Sequence, residues 1–361
     1  MDRGTGALIA KESSSMSEPT AASAGAVETP SRTGLLGFLL DFHNRTILFR
    51  VGNWIVTTYA LLTAISFATG VAAGLWFDAM TGQDVMFKAR YYLFVLTPLS
   101  LIGVRSFSIM LEWRELLRHP LATIVKPGYM LHGGILGGSV ALALLWNASG
   151  RDLLLLLDAG AFALLIGEAI ARLGCYVYGC CWGRPTESRF GVRYTSPHAK
   201  VVRCAPHLQG VKIHPAQLYA TVAYAAMFVA FYALLPYRRF DGMFAALYLI
   251  GHSVVRLTLE RFRQDDRGRF FGILTHTQLY ATIMIVLGVI IVAARWNGGP
   301  LTPADVSIRF TEILGNAKLM LWIVGFGLAF GIPYGVHYKK VGQWISKPGE
   351  DDEPKPAPQG G

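Results

Sequence analysis

Four ionisable residues share one face of a single apolar stretch. His252, Arg256 and Glu260 are spaced by four, and Arg263 follows Arg256 by seven. A second apolar stretch carries Glu168 and Arg172, again four apart, with Asp158 two heptads before Arg172. A charge near the centre of a bilayer costs at least ~2.5–3.5 kcal/mol, so such groups need partners or a task. Ion pairs are one reading, and Glu168–Arg172 and Arg256–Glu260 satisfy it. A polar cavity facing a bundle interior is the other. Guanidinium forks match phosphate oxygens in bidentate fashion, so two or three arginines there predict an oxyanion site. In a membrane the abundant phosphate-bearing molecule is a phospholipid.

A third group is the run His132-Gly133-Gly134-Ile135-Leu136-Gly137-Gly138. Its glycines at i and i+4 suit close helix packing. The histidine suits either a hydrogen-bonding role or a general base, since a neutral imidazole titrates near ~6.5. The segment Arg172 to Arg184 holds Gly174, Cys175, Tyr176, Tyr178, Gly179, Cys180, Cys181, Trp182 and Gly183. Its cysteine spacing does not match the Cys-x2-Cys pairs of zinc sites, so no metal and no cofactor is expected. A disulfide from Cys204 to Cys180 or Cys181 is the expectation if the segment faces an oxidising compartment. His214-Pro215-Ala216-Gln217-Leu218-Tyr219 reads as a Pro-started helix with an interfacial tyrosine. Phosphate-binding glycine loops with lysine, nucleophile elbows and zincin helices are missing, which leaves hydrolysis by serine or metal without support.

The elements that carry these residues are apolar runs. Eight meet the roughly 20-residue requirement for a span: 53–77, 91–111, 129–146, 153–173, 215–235, 242–262, 275–294 and 319–337. The fold class is therefore all-α, a polytopic membrane bundle of seven to eight helices. Residues 1–44 read as a disordered tail, 45–297 as the main membrane domain with an extended loop at 174–214, 298–345 as an extra C-terminal helix region, and 346–361 as a second tail. Arg238 and Arg239 read as cytoplasmic under the positive-inside rule, which places 174–214 outside. That segment is itself basic, so its cations are expected to serve a function that overrides the rule.

Composition agrees. Of 361 residues 53 % are hydrophobic and 16 % charged, with 33 Lys plus Arg against 23 Asp plus Glu. Mean hydropathy is +0.40. Disordered, collagen-like and ordinary soluble classes are excluded. The basic excess sits beside or inside apolar runs, so it points to lipid phosphates or anionic substrates and not to nucleic acid.

From about Tyr59 to Val292 the chain resembles the bacterial prolipoprotein diacylglyceryl transferase family. The resemblance rests on His132-Gly133-Gly134, on Asp158 upstream of Arg172, and on Gly183-Arg184. His214-Pro215-x-Gln217-Leu218-Tyr219 and Arg256-x3-Glu260-x2-Arg263, followed by Asp265 or Asp266, complete it. It implies transfer of the diacylglyceryl group of phosphatidylglycerol to the lipobox cysteine of a preprolipoprotein signal peptide. A thioether forms and glycerol phosphate leaves. The implied catalytic residues are His132, Arg172 and Arg256. The implied substrate-binding residues are Tyr59, Gly133, Gly134, Asp158, Gly183, His214, Gln217, His252, Glu260 and Arg263. The implied location is the bacterial cytoplasmic (inner) membrane, crossed several times. Cys175 and Tyr178 stand where the family has asparagines, Cys180 where it has an acidic residue, and His252 where it has a tyrosine. These departures keep a second reading open, a non-catalytic paralogue that binds or moves phospholipid.

Overall fold

The structure is a computed structural model, and it describes residues 41–111, 113–120, 131–150, 152–263, 269–270, 274–296 and 310–342. Helices dominate. They are α1 (Thr58–Met80), α2 (Val85–Tyr91), α3 (Thr97–Leu111), α4 (Trp113–Arg118), α5 (Leu131–Ser149), α6 (Leu153–Tyr178), α7 (Lys200–Cys204), α8 (Ala216–Leu234), α9 (Met243–Glu260), α10 (His276–Arg295), α11 (Phe310–Gly315) and α12 (Ala317–Gly335). A π-helical turn, Tyr92–Leu96, joins α2 to α3. The short strands are β1 (Ile47–Val51), β2 (Trp54–Thr57), β3 (Val192–Arg193), β4 (Lys212–Ile213), β5 (Arg269–Phe270), β6 (Leu274–Thr275) and β7 (Val336–Tyr338).

Among the described residues, six helical segments are long and apolar enough to cross a membrane: 58–80, 85–106, 153–178, 216–237, 243–260 and 277–295. The runs at Leu136–Ala148 and Ala317–Ile332 are apolar but shorter. Each of the eight expected runs overlaps a helix, the third and eighth being α5 (Leu131–Ser149) and α12 (Ala317–Gly335). The first expected span begins too early, because residues 54–57 form a strand. Gly52 takes φ +57° at the tip of a hairpin in which β1 pairs antiparallel with β2. The expected N-terminal tail is also corrected at its end. Phe42–Asn44 form a 3-10 turn, and buried His43 bonds the Arg193 carbonyl at 2.9 Å. The remainder of that tail and the segment 346–361 lie outside the described residues.

Small residues set the helix crossings. Ser66 on α1 donates to the Gly167 carbonyl on α6 at 2.6 Å. A Cβ on Gly70 would lie 2.8 Å from the Ala163 carbonyl oxygen, so these backbones touch. On α5, Gly137 packs against the backbone of Leu99 on α3, which accounts for part of the His132 glycine run. On α12, Gly327, Gly331 and Gly335 line up against Ala60 and Ala64 of α1. β7 then pairs with β2, so the C-terminal region closes onto the N-terminal hairpin.

Internal charges outside the site are matched. Lys88 pairs with Asp78, both buried, tying α2 to α1. The N-terminus of α9 starts at Gly242, which has no side chain to cap it. Asp158 of α6 takes that part, accepting from the Gly242 amide at 2.9 Å and the Ala245 amide at 2.8 Å. Phe77, Phe162, Phe231 and Phe244 pack beside it.

Candidate functional site

The site forms where α6 ends. Gly179 takes φ +73°, its amide donates to Tyr176 at 3.3 Å, and the Cys180 amide donates back to Cys175 at 3.2 Å. This is a Schellman ending, and it folds residue 180 back over residue 175. Cys181 follows at φ +58°, a left-handed conformation that costs a non-glycine residue about 1–3 kcal/mol. The next residues hold it there. The Arg184 amide donates to the Phe262 carbonyl at 2.8 Å, the His214 amide to the Arg184 carbonyl at 2.9 Å, and Arg184 Nε to the Arg263 carbonyl at 2.8 Å. Gly183 lies between the backbones of His214 and Phe262, with no room for a Cβ. Three motifs far apart in the chain, Gly183-Arg184, His214 and Arg263, are thereby laid side by side.

Other candidate residues join this floor. Buried Gln217 donates from Nε2 to the Cys180 carbonyl at 2.6 Å. His214 Nδ1 lies 3.1 Å from the Tyr219 hydroxyl. The Tyr59 ring sits 5.3 Å from that of Tyr178 and covers Gly174. The three sulfurs of Cys175, Cys180 and Cys181 lie within 4.8 Å of one another. All four cysteines are free, so the expected disulfide from Cys204 is not formed. The Cys181 thiol is held well below its ordinary pKa, chiefly by hydrogen bonds from Cys175 and Cys180, with attraction from Arg263 and Arg172 added. Cys180 is pushed the other way by bonding to the same two neighbours and by burial.

One turn below, a second polar group crosses from α6 to α9. His252 Nδ1 meets Glu168 Oε2 at 3.1 Å, and the Tyr248 hydroxyl donates to Glu168 Oε1 at 3.0 Å. The His252 ring stacks on Tyr224 of α8 at 5.4 Å and 14°. Glu168 therefore reaches across to α9, beyond the intrahelical pairing with Arg172 that spacing alone offers. Glu260 accepts from the Thr275 hydroxyl at 2.6 Å, at the capping box that starts α10.

Three arginines act electrostatically on this region. Tyr224 feels both Arg172 and Arg256, and Cys181 feels both Arg172 and Arg263. Arg172 is the shared member. Its half-buried guanidinium has no hydrogen bond or ion pair within 4 Å among the described residues. A guanidinium with its five N–H donors free of such partners suits an oxyanion.

An apolar cavity of about 610 Å³ runs beside this cluster, bounded by α1, α3, α5, α6 and α12. Glu168 is its one charged lining residue among the described residues. Ala171 and Gly134 also line it, and Leu156 and Leu145 belong to its other reaches. Phe326, Phe330 and Tyr334 of α12 complete the wall. Sequence reasoning placed none of these aromatics in the site, although the Gly327, Gly331, Gly335 stripe signals that their helix docks.

Asp158 stands elsewhere, and His132, Gly133, Asp265 and Asp266 are not described in full. Asp158 is bound to the start of α9, and 14 helical residues put it about 21 Å from Arg172. It is a capping group in this fold. His132 lies in the first turn of α5, but its side chain, the surroundings of Gly133, and Asp265 and Asp266 lie outside the described residues.

Fold and site together define a multi-pass helical membrane protein whose polar centre is built around arginines beside an apolar cavity. The model of the prolipoprotein diacylglyceryl transferase family matches residues 46–294. The chain belongs to that family of transferases. It is similar to the phosphatidylglycerol–prolipoprotein diacylglyceryl transferase of Legionella pneumophila (strain Lens), at 29 % identity over 255 residues, covering 67 % of this chain and 94 % of that one. The enzyme of the same name from Dehalococcoides mccartyi is 26 % identical over 244 residues, 67 % and 90 % of the two chains. That of Clostridium tetani is 26 % identical over 195 residues, 53 % and 74 %. α12 and β7 lie beyond the family match.

Proposed function

We propose that this chain transfers the diacylglyceryl group of phosphatidylglycerol to the lipobox cysteine of preprolipoprotein signal peptides in the bacterial cytoplasmic membrane. The observation that carries this reading is Arg172, without a hydrogen bond or ion pair among the described residues, one helical turn past Glu168, which lines the apolar cavity. A phospholipid needs both at once, a cationic seat for phosphate and a dry slot for acyl chain.

In the proposed reaction the acceptor sulfur attacks the glycerol carbon that bears the phosphate. A C–S bond forms, the C–O bond breaks, and the electron pair leaves on the phosphate of glycerol phosphate. The thiol proton passes to a base. Arg172 and Arg256 stabilise the charge that grows on the departing phosphate. Arg263, Gly183 and His214 frame the seat, and Gln217 supports the floor at Cys180. The Glu168–His252–Tyr248 group keeps the boundary between cavity and headgroup polar and fixed. Family resemblance alone assigns His132 as the base or the headgroup-positioning group, and Tyr59 as a headgroup contact.

The test is incubation of the purified protein with phosphatidylglycerol and a lipobox peptide, followed by mass spectrometry of the peptide. A diacylglyceryl adduct on the cysteine, missing from a Cys→Ser peptide, is the expected result. Lipid binding without adduct would support the non-catalytic lipid-binding reading instead.

A further inference from the structure

The cysteines form a second constellation within the site. Cys175, Cys180 and Cys181 present three sulfurs within 4.8 Å of one another, and Cys204 is not among them. Backbone geometry produces the grouping. The Schellman bond from Cys180 to Cys175 stacks those two residues, and the left-handed Cys181 is locked by the Arg184, His214 and Phe262 ladder. Zinc–sulfur bonds of about 2.3 Å in a tetrahedron require sulfurs about 3.8 Å apart. The observed grouping needs to close by at most about 1 Å. Three thiolates on a divalent ion leave one negative charge, and Arg172 stands one helical turn before Cys175 on α6. Gln217 supplies an independent sign of a missing ligand. It is 2 % exposed, its Nε2 is fixed on the Cys180 carbonyl, and its Oε1 is buried with no partner.

We infer that Cys175, Cys180 and Cys181 bind a soft divalent metal ion of the zinc type and leave its fourth position open to the acceptor thiol. Three protein ligands with an open position is the pattern of a catalytic zinc site, whereas structural sites are closed by four. A thiol that takes that position loses its proton to solvent base and becomes a metal-bound thiolate, the nucleophile the proposed transfer needs. The role in transfer rests on the proposed function. Metal binding itself does not.

The test uses the full chain purified in detergent under reducing conditions. Metal content is read by mass spectrometry, and the stripped protein is titrated with cobalt(II) to look for thiolate-to-cobalt charge-transfer absorption. The expected result is about one zinc per chain and a charge-transfer band that Cys204→Ser keeps and Cys175→Ser or Cys181→Ser loses. A Cys-containing acceptor peptide shifts the cobalt spectrum and its Ser counterpart does not. Metal-free protein with no band on cobalt addition would overturn the site, as would a disulfide between any two of the three. Should a serine variant fail to fold, the wild-type titration still decides. Bound zinc without any peptide adduct would remove the transferase reading and leave the site standing. Full transfer by verified metal-free protein would remove the thiol-activating role and leave the transferase reading standing.

Discussion

Glu168 and His252, on different helices, meet at 3.1 Å where the apolar cavity gives way to the arginine cluster. The contact joins α6 to α9, and stacking of His252 on Tyr224 adds α8. His252→Ala removes the Glu168 partner and the stacked ring together. A hydrogen bond to a charged group contributes about 1.5–3 kcal/mol, roughly tenfold to a hundredfold in rate. Transfer should fall by that factor in a single-turnover assay, and His252→Gln, which keeps a donor, should recover part of it. Unchanged rates in both would show that this bridge does not position the site.

Asp158 separates capping from substrate binding. Asp158→Ala leaves two α9 amides without their acceptor and removes the carboxylate 3.7 Å from Arg238 Nε, while Arg238 keeps its pair with Asp241. Leaving a buried donor without its acceptor costs about 1–3 kcal/mol. Thermal unfolding in detergent should shift down strongly, while the protein that stays folded at low temperature keeps its affinity for phosphatidylglycerol. A weakened affinity at unchanged stability would return Asp158 to the headgroup site.

Gly183→Ala probes the hook that gathers the motifs. The added Cβ would lie 2.7 Å from His214 Cβ and 2.8 Å from the Phe262 carbonyl oxygen. The overpacking cost is about 1–3 kcal/mol. Transfer should drop more than stability, because Arg184, His214 and Arg263 move apart. Equal activity and melting temperature to wild type would show that the seat tolerates the separation.

The C-terminal helix makes a prediction about donor choice. Phe330 stacks on Phe67 at 4.2 Å and lines the cavity from α12. Phe330→Leu enlarges the slot and should shift relative rates toward phosphatidylglycerols with longer acyl chains in a mixed-donor competition. Gly331→Leu, whose side chain starts 2.9 Å from the Ala60 carbonyl oxygen, should undock α12 and blur that selectivity. Identical donor profiles in all three proteins would place the acyl chains elsewhere.

Much of this arrangement is legible in the chain, and the exceptions have physical causes. The spacing of His252, Arg256 and Glu260 reads correctly because a helix repeats its face, and face is what periodicity encodes; Arg263 does not share that face, because α9 ends at Glu260 and Arg263 bridges to Gly183. Asp158 misleads for the same reason. Two heptads preserve its face relative to Arg172, but they carry it along the axis to the other end of α6. The β1–β2 hairpin is signalled by Gly52-Asn53, a turn pair hidden inside a long apolar run. The cysteine cluster is not legible, since it depends on a reversal at Gly179 and on a positive φ at Cys181, which no residue preference announces. The Glu168–His252 bridge and the α12 wall arise from helix packing, and one-dimensional spacing does not carry that information.

The most direct measurement is single-turnover transfer from phosphatidylglycerol in lipid nanodiscs by wild-type protein, Arg172→Lys and Arg172→Ala, with folding checked for each. A planar fork that holds phosphate in bidentate fashion is only partly replaced by a point charge. The predicted result is adduct from wild type, a strongly slowed reaction with lysine, and none with alanine from protein that remains folded. Adduct at the wild-type rate from folded Arg172→Ala would contradict the phosphate seat on which the account rests.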